Sequence, residues 1–402
     1  MSEKKLVPKL RFSGFDDEWK SFKLNEISER ITRKNKSLET DRPLTISAQY
    51  GLVDQIEYFN KIVASKSLIN YYLLYNGEFA YNKSYSNGYP FGAVKRLDDY
   101  ENGAISTLYI CFNVTDKMNS DLLKEYFETD KWYKEIYKIA VEGARNHGLL
   151  NIAVGDFFNT NHILPTNKHE QEKIAQFLIE VNKKIKLLEN KLQAYQDFKK
   201  YLMQQIFAQK LRFAEYDDEW KSVKLKTVGK INTGNTPPTK VKEYYSPEKY
   251  LWVTPSDISS KYIVNTEKKL SEEGAEKGRF VKKNSVLVTC IASIGKNCII
   301  TEDGYFNQQI NSITPNKDYD SEFIYYLICN NAERMKKYAG ITATPILNKK
   351  SFENMKFEFP SLNEQKQIKM ILSNTDNKIF KLENVIDETQ KFKKGLLQQM
   401  FV

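Results

Sequence analysis

The stretch KLRFSGFDDEWKSFKL at residues 9–24 returns almost unchanged as KLRFAEYDDEWKSVKL at residues 210–225. When the alignment is extended to residues 9–27 and 210–228, 12 of its 19 positions are identical. A second repeated pair closes each half, because residues 170–208 and 364–402 agree at 17 of 39 positions. The offsets of the two pairs are 201 and 194, so the chain consists of two halves of about 200 residues, and this duplication sets the architecture. We call these four repeated strips the frame.

Between the strips of the frame lie two variable segments, residues 29–160 and 229–359, whose sequences diverge. The same order of stretches can still be followed through both. The corresponding pairs are PLTISAQYGLV (43–53) with YLWVTPSDISS (250–260), FGAVKRL (91–97) with IGKNCII (294–300), and GARNHGLLN (143–151) with GITATPILN (340–348). This pattern indicates a common frame around segments that recognise different things. The alternative, neutral drift after an old duplication, predicts even decay rather than blocks of identity.

Each half ends in a long segment whose apolar residues recur every seven positions in two interleaved series. This alternation is the pattern of a coiled-coil seam. The seam positions are Ile174, Leu178, Val181, Ile185, Leu188 and Leu192 in the first copy and Ile368, Leu372, Ile379, Leu382 and Ile386 in the second. A lysine stands at the same late seam position in both copies, Lys199 and Lys393. If the two helices pack against each other, both seams are covered and the pair forms a rigid spacer of about 60 Å. The alternative is that each helix lies on the surface of its own domain.

The sequence therefore predicts an α+β protein with a pseudo-two-fold internal repeat. Two similar α/β domains are separated by two long helices that form an antiparallel coiled coil. We expect the domains at residues 1–166 and 210–361, and the helices at residues 167–209 and 362–402.

Composition narrows the class of protein. A hydrophobic content of 41% with 13% aromatic residues is typical of a folded protein. The chain has no apolar run of about 18 residues, and its start, MSEKKLVPKL, lacks the apolar core of a signal peptide, so we expect a cytoplasmic protein. The net charge of +10 suggests nucleic acid as a partner. Residues 21–165 nevertheless carry 17 basic and 18 acidic side chains, so charge alone is weak evidence.

Motifs for catalysis are missing. The cysteines and histidines have no zinc-ligand spacing; they are Cys111, Cys290, Cys298, Cys329, His147, His162 and His169. CIASIGKN (290–297) lacks the first glycine and the hydroxyl of a nucleotide-binding loop. NTPPT (235–239) lacks the Asn/Asp-Pro-Pro-aromatic motif of an amino methyltransferase. We predict a binding protein with no catalytic residue, no metal site and no cofactor of its own.

Loops of both variable segments carry the residue types that read base edges and hold phosphates. The candidate DNA-binding residues are Asn82, Lys83, Ser84, Tyr85, Ser86, Asn87, Tyr89, Arg145, Asn146 and His147 in the first segment, and Thr254, Ser256, Asp257, Asn307, Gln308, Gln309, Lys337, Thr342 and Thr344 in the second. Each loop taken alone fits an ordinary turn better. Their equivalent places in the two halves nevertheless favour a role in binding.

These features together resemble the specificity subunits of type I restriction–modification systems. The resemblance extends over essentially all 402 residues. It is carried by the DDEWK strips (16–20 and 217–221), TPSDI (254–258), FNQQINSI (306–313) and the helix entries P-x-x-x-x-EQ at Pro165 and, one residue shorter, at Pro360. The first segment departs from it, with TISAQ (45–49) in place of TPSDI. We interpret Trp19 and Trp220 of the DDEWK strips as domain-edge residues rather than DNA readers.

The resemblance implies a function. The two domains would be target-recognition domains, each reading one half of a bipartite double-stranded DNA target, and the helices would set the spacer and dock other subunits. Those partners would be two modification subunits, which methylate adenine, and two restriction subunits, which are ATP-dependent translocases and nucleases. S-adenosylmethionine, ATP and magnesium are expected on the partners only.

Two other functions remain as alternatives. A coiled-coil adaptor that organises other proteins without DNA would explain the helices but not the composition of the loops. A self-sufficient methyltransferase is disfavoured by the missing motifs.

Overall fold

The computed structural model describes residues 5–61, 67–140, 150–339 and 345–402. Its contacts divide the chain into two compact units. Unit 1 consists of Met1–Glu189 with Asn384–Val402, and unit 2 of Asn190–Glu383. Each long helix thus gives one end to each unit, whereas the sequence suggested four consecutive segments. No helix in the described part of the chain has the length and apolarity that a membrane span needs.

Unit 1 combines short strands with short helices and one end of each long helix. Its elements in chain order are β1 (Lys20–Lys23), α1 (Leu24–Ile27), β2 (Ser28–Ile31), β3 (Pro43–Ser47), β4 (Gly51–Asp54), α2 (Gln55–Phe59), β5 (Tyr72–Tyr75), β6 (Phe79–Asn82), β7 (Ala93–Arg96), β8 (Asn102–Ile105), β9 (Ile110–Val114), α3 (Ser120–Tyr126), α4 (Tyr133–Ile139), α5 (Val154–Phe158), β10 (Asn161–Leu164) and the first long helix α6 (Lys168–Phe207), which continues into unit 2.

The strands of unit 1 form three small sheets. Their orders are β2-β9-β6-β7, β4-β3-β8-β5 and the pair β1-β10. Among the described strands, all pairs are antiparallel except β3 with β8. The inner faces carry large apolar side chains, such as Phe79 and Phe112, whose rings stack at 5.1 Å between centroids. The small sheets therefore enclose the core, and the turns at their ends carry the polar residues.

Unit 2 continues the chain with a similar set of elements. They are β11 (Lys221–Lys224), α7 (Leu225–Val228), β12 (Gly229–Thr233), β13 (Tyr250–Val253), β14 (Tyr262–Ile263), β15 (Lys269–Leu270), α8 (Glu272–Lys277), β16 (Phe280–Val281), β17 (Val286–Thr289), β18 (Asn297–Ile300), β19 (Gly304–Phe306), β20 (Ile310–Pro315), α9 (Ser321–Asn330), α10 (Ala332–Tyr338), α11 (Lys349–Asn354), β21 (Lys356–Phe359) and the second long helix α12 (Leu362–Met400), which ends in unit 1.

The sheets of unit 2 repeat those of unit 1 strand for strand. The orders β12-β20-β17-β18, β15-β13-β19-β16 and β11-β21 correspond to the three sheets of unit 1. The parallel pair recurs as β13 with β19, and β14 is an additional strand parallel to β18. The predicted α+β fold with an internal repeat is confirmed, and the variable segments share their topology despite their different sequences.

The two long helices run antiparallel, as predicted. In unit 1, Leu178 of α6 belongs to the same apolar cluster as Met400 of α12. In unit 2, Ile206 of α6 shares a cluster with Leu372 of α12. The beginning of each helix therefore packs with the end of the other. The outer predicted seam positions are buried, and the middle ones are half-buried; the half-buried ones are Ile185, Leu188, Leu192, Ile379 and Leu382.

Candidate nucleic-acid interface

The DDEWK strip and the long helix of unit 1 meet at a buried carboxylate. Glu170, near the start of α6, accepts hydrogen bonds from Arg11 Nε at 2.7 Å and Arg11 Nη2 at 2.8 Å. The indole Nε1 of Trp19 donates to the same carboxylate at 3.2 Å. The hydrogen bond from Arg11 to Glu170 raises the pKa of the guanidinium, although partial burial acts against it. The strip is thus fixed to the helix by a bidentate ion pair.

Unit 2 repeats this arrangement atom for atom. Arg212 donates to Glu364 of α12 at 2.8 Å and 2.9 Å, and Trp220 Nε1 donates to Glu364 at 3.2 Å. Both tryptophans are buried. Their burial agrees with the interpretation of Trp19 and Trp220 as domain-edge residues, because their rings are not available for contact with a ligand.

The glutamine after each of these glutamates ties the long helix to the domain. Gln171 Nε2 donates to the carbonyl of Pro165 at 2.8 Å, and Gln171 Oε1 accepts from Asn119 N at 2.8 Å. Gln365 makes the same two bonds in unit 2, to Pro360 O and from Asp320 N, both at 3.0 Å. Since Asn119 and Asp320 are the N-caps of α3 and α9, the frame positions the helix on which each variable sheet rests.

The turns at the ends of β13 and β19 form a polar cleft in unit 2. Asn307 N donates to Val253 O at 2.9 Å, which holds the two strand ends side by side. Gln309 N donates to Asn307 Oδ1 at 2.6 Å and tightens the second turn. Four of the predicted DNA-binding residues meet here around a cleft of about 360 Å³, which is lined by Trp252, Thr254, Pro255, Ser256, Glu267, Lys268, Asn307 and Gln309. The structure thus brings TPSDI and FNQQINSI together.

Asp257 holds the first of these turns. Its Oδ2 accepts from Thr254 N at 2.8 Å and from the Thr254 hydroxyl at 2.6 Å, while Oδ1 accepts from Glu267 N at 2.8 Å. Both carboxylate oxygens are therefore engaged within the protein. These bonds assign Asp257 to the formation of the turn, and the residues it positions, Thr254 and Ser256, face the cleft.

Sequence reasoning missed the strip Gly234–Asn235–Thr236, which borders the same site. Thr236 Oγ1 donates to Gln308 Oε1 and so orients that amide. Gly234 lies against the turn so closely that a Cβ there would come within 2.3 Å of Asn307 O. The glycine before Asn235 was the available signal, because glycine allows close approach of two backbones. Lys268, which lines the cleft, was also missed.

In unit 1 the equivalent turn has different side chains. Tyr109 N donates to Ser106 O at 3.2 Å, as Ile310 N donates to Asn307 O at 3.1 Å, and the strand pairings that follow each turn have the same register, so the two turns correspond residue by residue. Ser106, Thr107 and Leu108 therefore occupy the places of Asn307, Gln308 and Gln309. Leu108 is 71% exposed. No sequence signal pointed to this turn, because only the strand pairing aligns it with FNQQINSI.

The predicted loop of unit 1 connects β6 with β7. Asn82 Oδ1 accepts from Ser84 N at 3.0 Å, and the backbones of Ser86 and Tyr89 bond each other across a tight turn. Tyr85 is 60% exposed, whereas the ring of Tyr89 is partly buried, and burial raises its pKa to about 12. The remaining residues of this predicted set, Lys83 and Asn87, lie in the same loop.

This loop has a counterpart in unit 2. Leu150 N donates to Lys83 O at 2.9 Å, and Leu347 N donates to Cys290 O at 2.8 Å. The loop after Asn82 therefore corresponds to the loop that begins at Cys290, which the sequence comparison had only partly aligned.

The other predicted residues divide into two groups. Lys337 is exposed on α10. The others lie outside the described residues; they are Arg145, Asn146, His147, Thr342 and Thr344.

Cys111, Cys290 and His162 are buried in the cores of the two units. Burial raises the pKa of the Cys111 and Cys290 thiols to about 12. Burial also lowers the pKa of His162 to about 4, with Glu135 partly opposing the shift. His162 Nδ1 lies 3.1 Å from the Tyr126 hydroxyl and Nε2 lies 2.8 Å from Thr160 Oγ1, so this histidine is a neutral core residue. The cleft of unit 2 offers hydrogen-bonding side chains and the cation of Lys268.

Residues 217–389 match the family model described as the type I restriction modification DNA specificity domain. The chain is 28% identical over 191 residues to the specificity subunit of type I restriction enzyme MjaIX of Methanocaldococcus jannaschii, covering 46% of this chain and 44% of that protein. It is 31% identical over 149 residues to the HindI specificity subunit of Haemophilus influenzae, covering 35% and 32%. The matches span less than half of these relatives' own length.

Solved structures share the fold over nearly the whole chain. The S subunit of a type I restriction–modification system from M. genitalium has a TM-score of 0.57 at 14% identity, covering 98% of this chain and 99% of that one. The HsdS subunit of Thermoanaerobacter tengcongensis has a TM-score of 0.51 at 15% identity, covering 95% and 96%. At such identities the likeness concerns the fold. The chain is therefore similar to type I restriction–modification specificity subunits, through the domain matched at residues 217–389 and through its fold over nearly the whole chain.

Proposed function

We propose that this chain is the DNA-specificity subunit of a type I restriction–modification complex, in which each unit reads one half of a bipartite target. One observation carries the proposal. The two variable segments have the same strand order, and the same turn carries Asn307, Gln308 and Gln309 in unit 2 but Ser106, Thr107 and Leu108 in unit 1. A shared scaffold with different side chains at one turn is what two different half-sites require.

The cleft of unit 2 supplies the chemistry for base reading. Asparagine and glutamine amides pair bidentately with adenine, and threonine and serine hydroxyls bond to either kind of base edge. Lys268, on the rim, suits a phosphate contact, which positions a protein on the duplex without selecting sequence. In unit 1 the exposed Leu108 and Tyr85 would make apolar or stacking contacts. The two half-sites should therefore differ in base composition.

The long helices are the proposed docking surface for the modification subunits. Besides the seam, α6 and α12 share identical residues at positions exposed in both copies. Phe198 and Phe392 are an equivalent pair among them, 48% and 57% exposed, each followed after one residue by an exposed lysine. Neither exposed phenylalanine ring contributes to an apolar core of the described residues, so folding does not explain why both copies have one. A surface repeated in this way suits two copies of one partner.

The chemistry of modification and restriction would then reside on other subunits. S-adenosylmethionine would bind to the modification subunits, and ATP with magnesium to the restriction subunits, all in the cytoplasm. This chain would contribute recognition and assembly. The near balance of charge in residues 21–165 fits a chain that relies on partners for much of its phosphate neutralisation.

The decisive experiment is methylation-sensitive sequencing of DNA from cells that express this chain with its modification subunit. We expect one bipartite motif with a fixed spacer. Replacing residues 29–160 by the corresponding segment of another specificity subunit should change one half of that motif and leave the other half and the spacer intact. A change in both halves would contradict the assignment of one half-site to each unit.

A gel-shift assay separates this function from that of a DNA-independent adaptor. The purified chain should bind duplex DNA weakly, and the modification subunit should restore tight binding that weakens steeply with salt. An adaptor would bring no sequence-selective shift in either sample. The variants F198A and F392A should each weaken recruitment of the modification subunit without altering the motif. K186A serves as the control, because Lys186 is exposed on α6 and its counterpart in α12 is Phe380, a different residue.

A further inference from the structure

Two lysines at equivalent positions of the long helices are held by carboxylates from different parts of the protein. Lys393 of α12 lies in unit 1, and Lys199 of α6 lies in unit 2. Their side chains are 21% and 26% exposed, so each sits largely within protein. A largely desolvated ammonium needs a carboxylate nearby. The source of that carboxylate differs between the units.

In unit 1 the acid belongs to the variable segment. Lys393 Nζ lies 3.1 Å from Oε2 of Glu125, which is on α3 and 2% exposed. The other oxygen, Oε1, accepts from Asn182 Nδ2 of α6 at 2.7 Å. The frame therefore contributes the lysine and a neutral amide, and the variable segment contributes the charge that balances the lysine.

In unit 2 the acid belongs to the frame. Lys199 Nζ lies 2.5 Å from Oδ1 of Asp376, which is on α12. The variable segment contributes a neutral group, the hydroxyl of Tyr326 on α9, which donates to Asp376 Oδ2. Lys261 Nζ in turn donates to that hydroxyl at 2.9 Å, and the charge of Lys261 is balanced within the variable segment by Glu322, whose Oε2 lies 2.5 Å away.

The two units exchange an acidic and a neutral residue between matching positions of the variable segment and the frame. Glu125 and Tyr326 are each the sixth residue of their helices, α3 and α9, whose N-caps bond the equivalent glutamines of the frame. Asn182 and Asp376 correspond in the repeated strips, as do the two lysines. The carboxylate that pairs with the frame lysine has therefore moved from the variable segment in unit 1 to the frame in unit 2.

We propose that this exchange is an assembly code that decides which recognition domain fits which position of the frame. Position 1, the part of the frame that holds the first variable segment, accepts a domain with an acid at the place of Glu125, because Asn182 cannot neutralise Lys393. Position 2 accepts a domain with a neutral hydrogen-bond donor at the place of Tyr326, because an acid there would face Asp376. Zero carboxylates leave a lysine unpaired, and two carboxylates repel each other. The partner that this surface selects is a recognition domain.

Three variants of the full chain test the code in unit 1. E125Q should lower the unfolding temperature of unit 1 by about 5–10 °C, since removing one member of a buried pair is costly. N182D should also lower it, because two carboxylates then face each other. The double variant E125Q/N182D moves the acid to the frame, as in unit 2, and should recover to within about 2 °C of the parent chain. Hydrogen–deuterium exchange of α3 assigns each change to unit 1.

The mirror set controls for local effects in unit 2. D376N should destabilise α9, and D376N/Y326E should restore it by moving the acid to the variable segment. The code is overturned if E125Q leaves unit 1 unchanged, or if E125Q/N182D is no more stable than E125Q. These readouts need neither DNA nor a modification subunit, so their failure is separate from a failure of the proposed function.

A chimera provides the strongest form of the test. In a chain with residues 29–160 and 229–359 transposed, both positions receive the wrong domain. The additional pair N182D/D376N supplies the matching frame, and we expect it to raise the unfolding temperature of the chimera by about 5–10 °C while it destabilises the parent chain. Equal stability of the chimera with and without the pair would refute the code.

Discussion

The two units solve the same folding problem with different residues. Their sheets have the same strand orders, and their frame carboxylates, Glu170 and Glu364, bond an arginine and a tryptophan in the same geometry. Yet the turn after the parallel strand pair presents Ser106 in one unit and Asn307 in the other. The topology is therefore preserved by the frame and by apolar strand positions. Different residues can occupy the turn because either side chain accepts the same backbone N–H: Asn307 Oδ1 accepts from Gln309 N, and Ser106 Oγ accepts from Leu108 N.

The units also differ inside their cores. In unit 1, His162 on β10 contacts Tyr126 and Thr160. The strand register places Phe357 of unit 2 at the equivalent position, because Phe22 pairs with His162 as Val223 pairs with Phe357. A hydrogen-bonded polar group in one unit is thus replaced by a buried ring in the other. The shared fold accepts either residue at this position, but only His162 can be protonated.

The largest expected effect tests what the units have in common. E170A removes a carboxylate that satisfies Trp19 and Arg11, and it should lower the free energy of unfolding of unit 1 by about 3–5 kcal/mol. E364A should destabilise unit 2 in the same way but less, because the Arg212 side chain is more exposed than that of Arg11. Urea unfolding followed by tryptophan fluorescence measures both. Stability of either variant equal to that of the parent would contradict a shared structural node.

The two units should differ in how their stability depends on pH. The pKa of His162 is about 4 in the folded protein and about 6.5 when unfolded, so between these pH values the unfolded chain binds a proton that the folded chain does not. The stability of unit 1 should therefore fall as pH drops from 6.5 to 4, by about 3 kcal/mol from this group. Unit 2 has Phe357 at this position and should not show this loss of stability. Hydrogen exchange as a function of pH measures each unit.

The matched control for the acid effect is the double variant Y126F/H162F, which removes both partners of the buried hydrogen bond. It should flatten the pH dependence of unit 1 between pH 4 and 6.5 while leaving unit 2 unchanged. An unaltered slope in this variant would mean that other groups cause the acid sensitivity.

An intermediate effect sharpens the difference in recognition and rests on the proposed function. In the complex with the modification subunit, N307A and Q309A should each cost about 1–3 kcal/mol of discrimination at one base pair. The loss should be confined to the half-site of unit 2. L108A should alter only the other half-site. Competition binding with single-base variants of the target provides the measurement, and a uniform loss across all targets would instead indicate a role in phosphate contact or folding.

The smallest expected effect concerns packing beside the frame. Phe12 and Phe177 contact each other edge to face in unit 1, with centroids 5.6 Å apart. Unit 2 has Ile371 at the position of Phe177, beside a cavity of about 120 Å³ that Phe213 also lines. I371F should fill this cavity and stabilise unit 2 by about 0.5–1.5 kcal/mol.

The reverse change, F177I, provides the control for this cavity and should destabilise unit 1 by about 1 kcal/mol. Both changes can be followed by thermal unfolding. Destabilisation by I371F would show that the space in unit 2 cannot accept a ring without strain.

Much of the fold was predictable because it is written in local patterns. The seven-residue spacing of Leu178 and its neighbours specifies a long helix, and the repeated strips specify two halves. The candidate site was predictable only where a residue type was distinctive. Asn307 and Gln309 drew attention as amides, whereas Ser106 and Leu108 did not, since nothing in their composition distinguishes them from any surface turn. Asp257, a candidate because of its place in TPSDI, holds the turn through three hydrogen bonds.

The sequence by itself determined the duplication, the two long helices and the absence of familiar catalytic motifs, because identity and periodicity are properties of neighbours along the chain. Only the tertiary structure decided which residues of the two halves are equivalent and which charges face each other. Arg11 and Glu170 are separated by 159 positions, and Lys393 meets Glu125 through a helix that begins in the other unit. Such pairs depend on strand register and helix packing, which place distant residues together without leaving a local pattern.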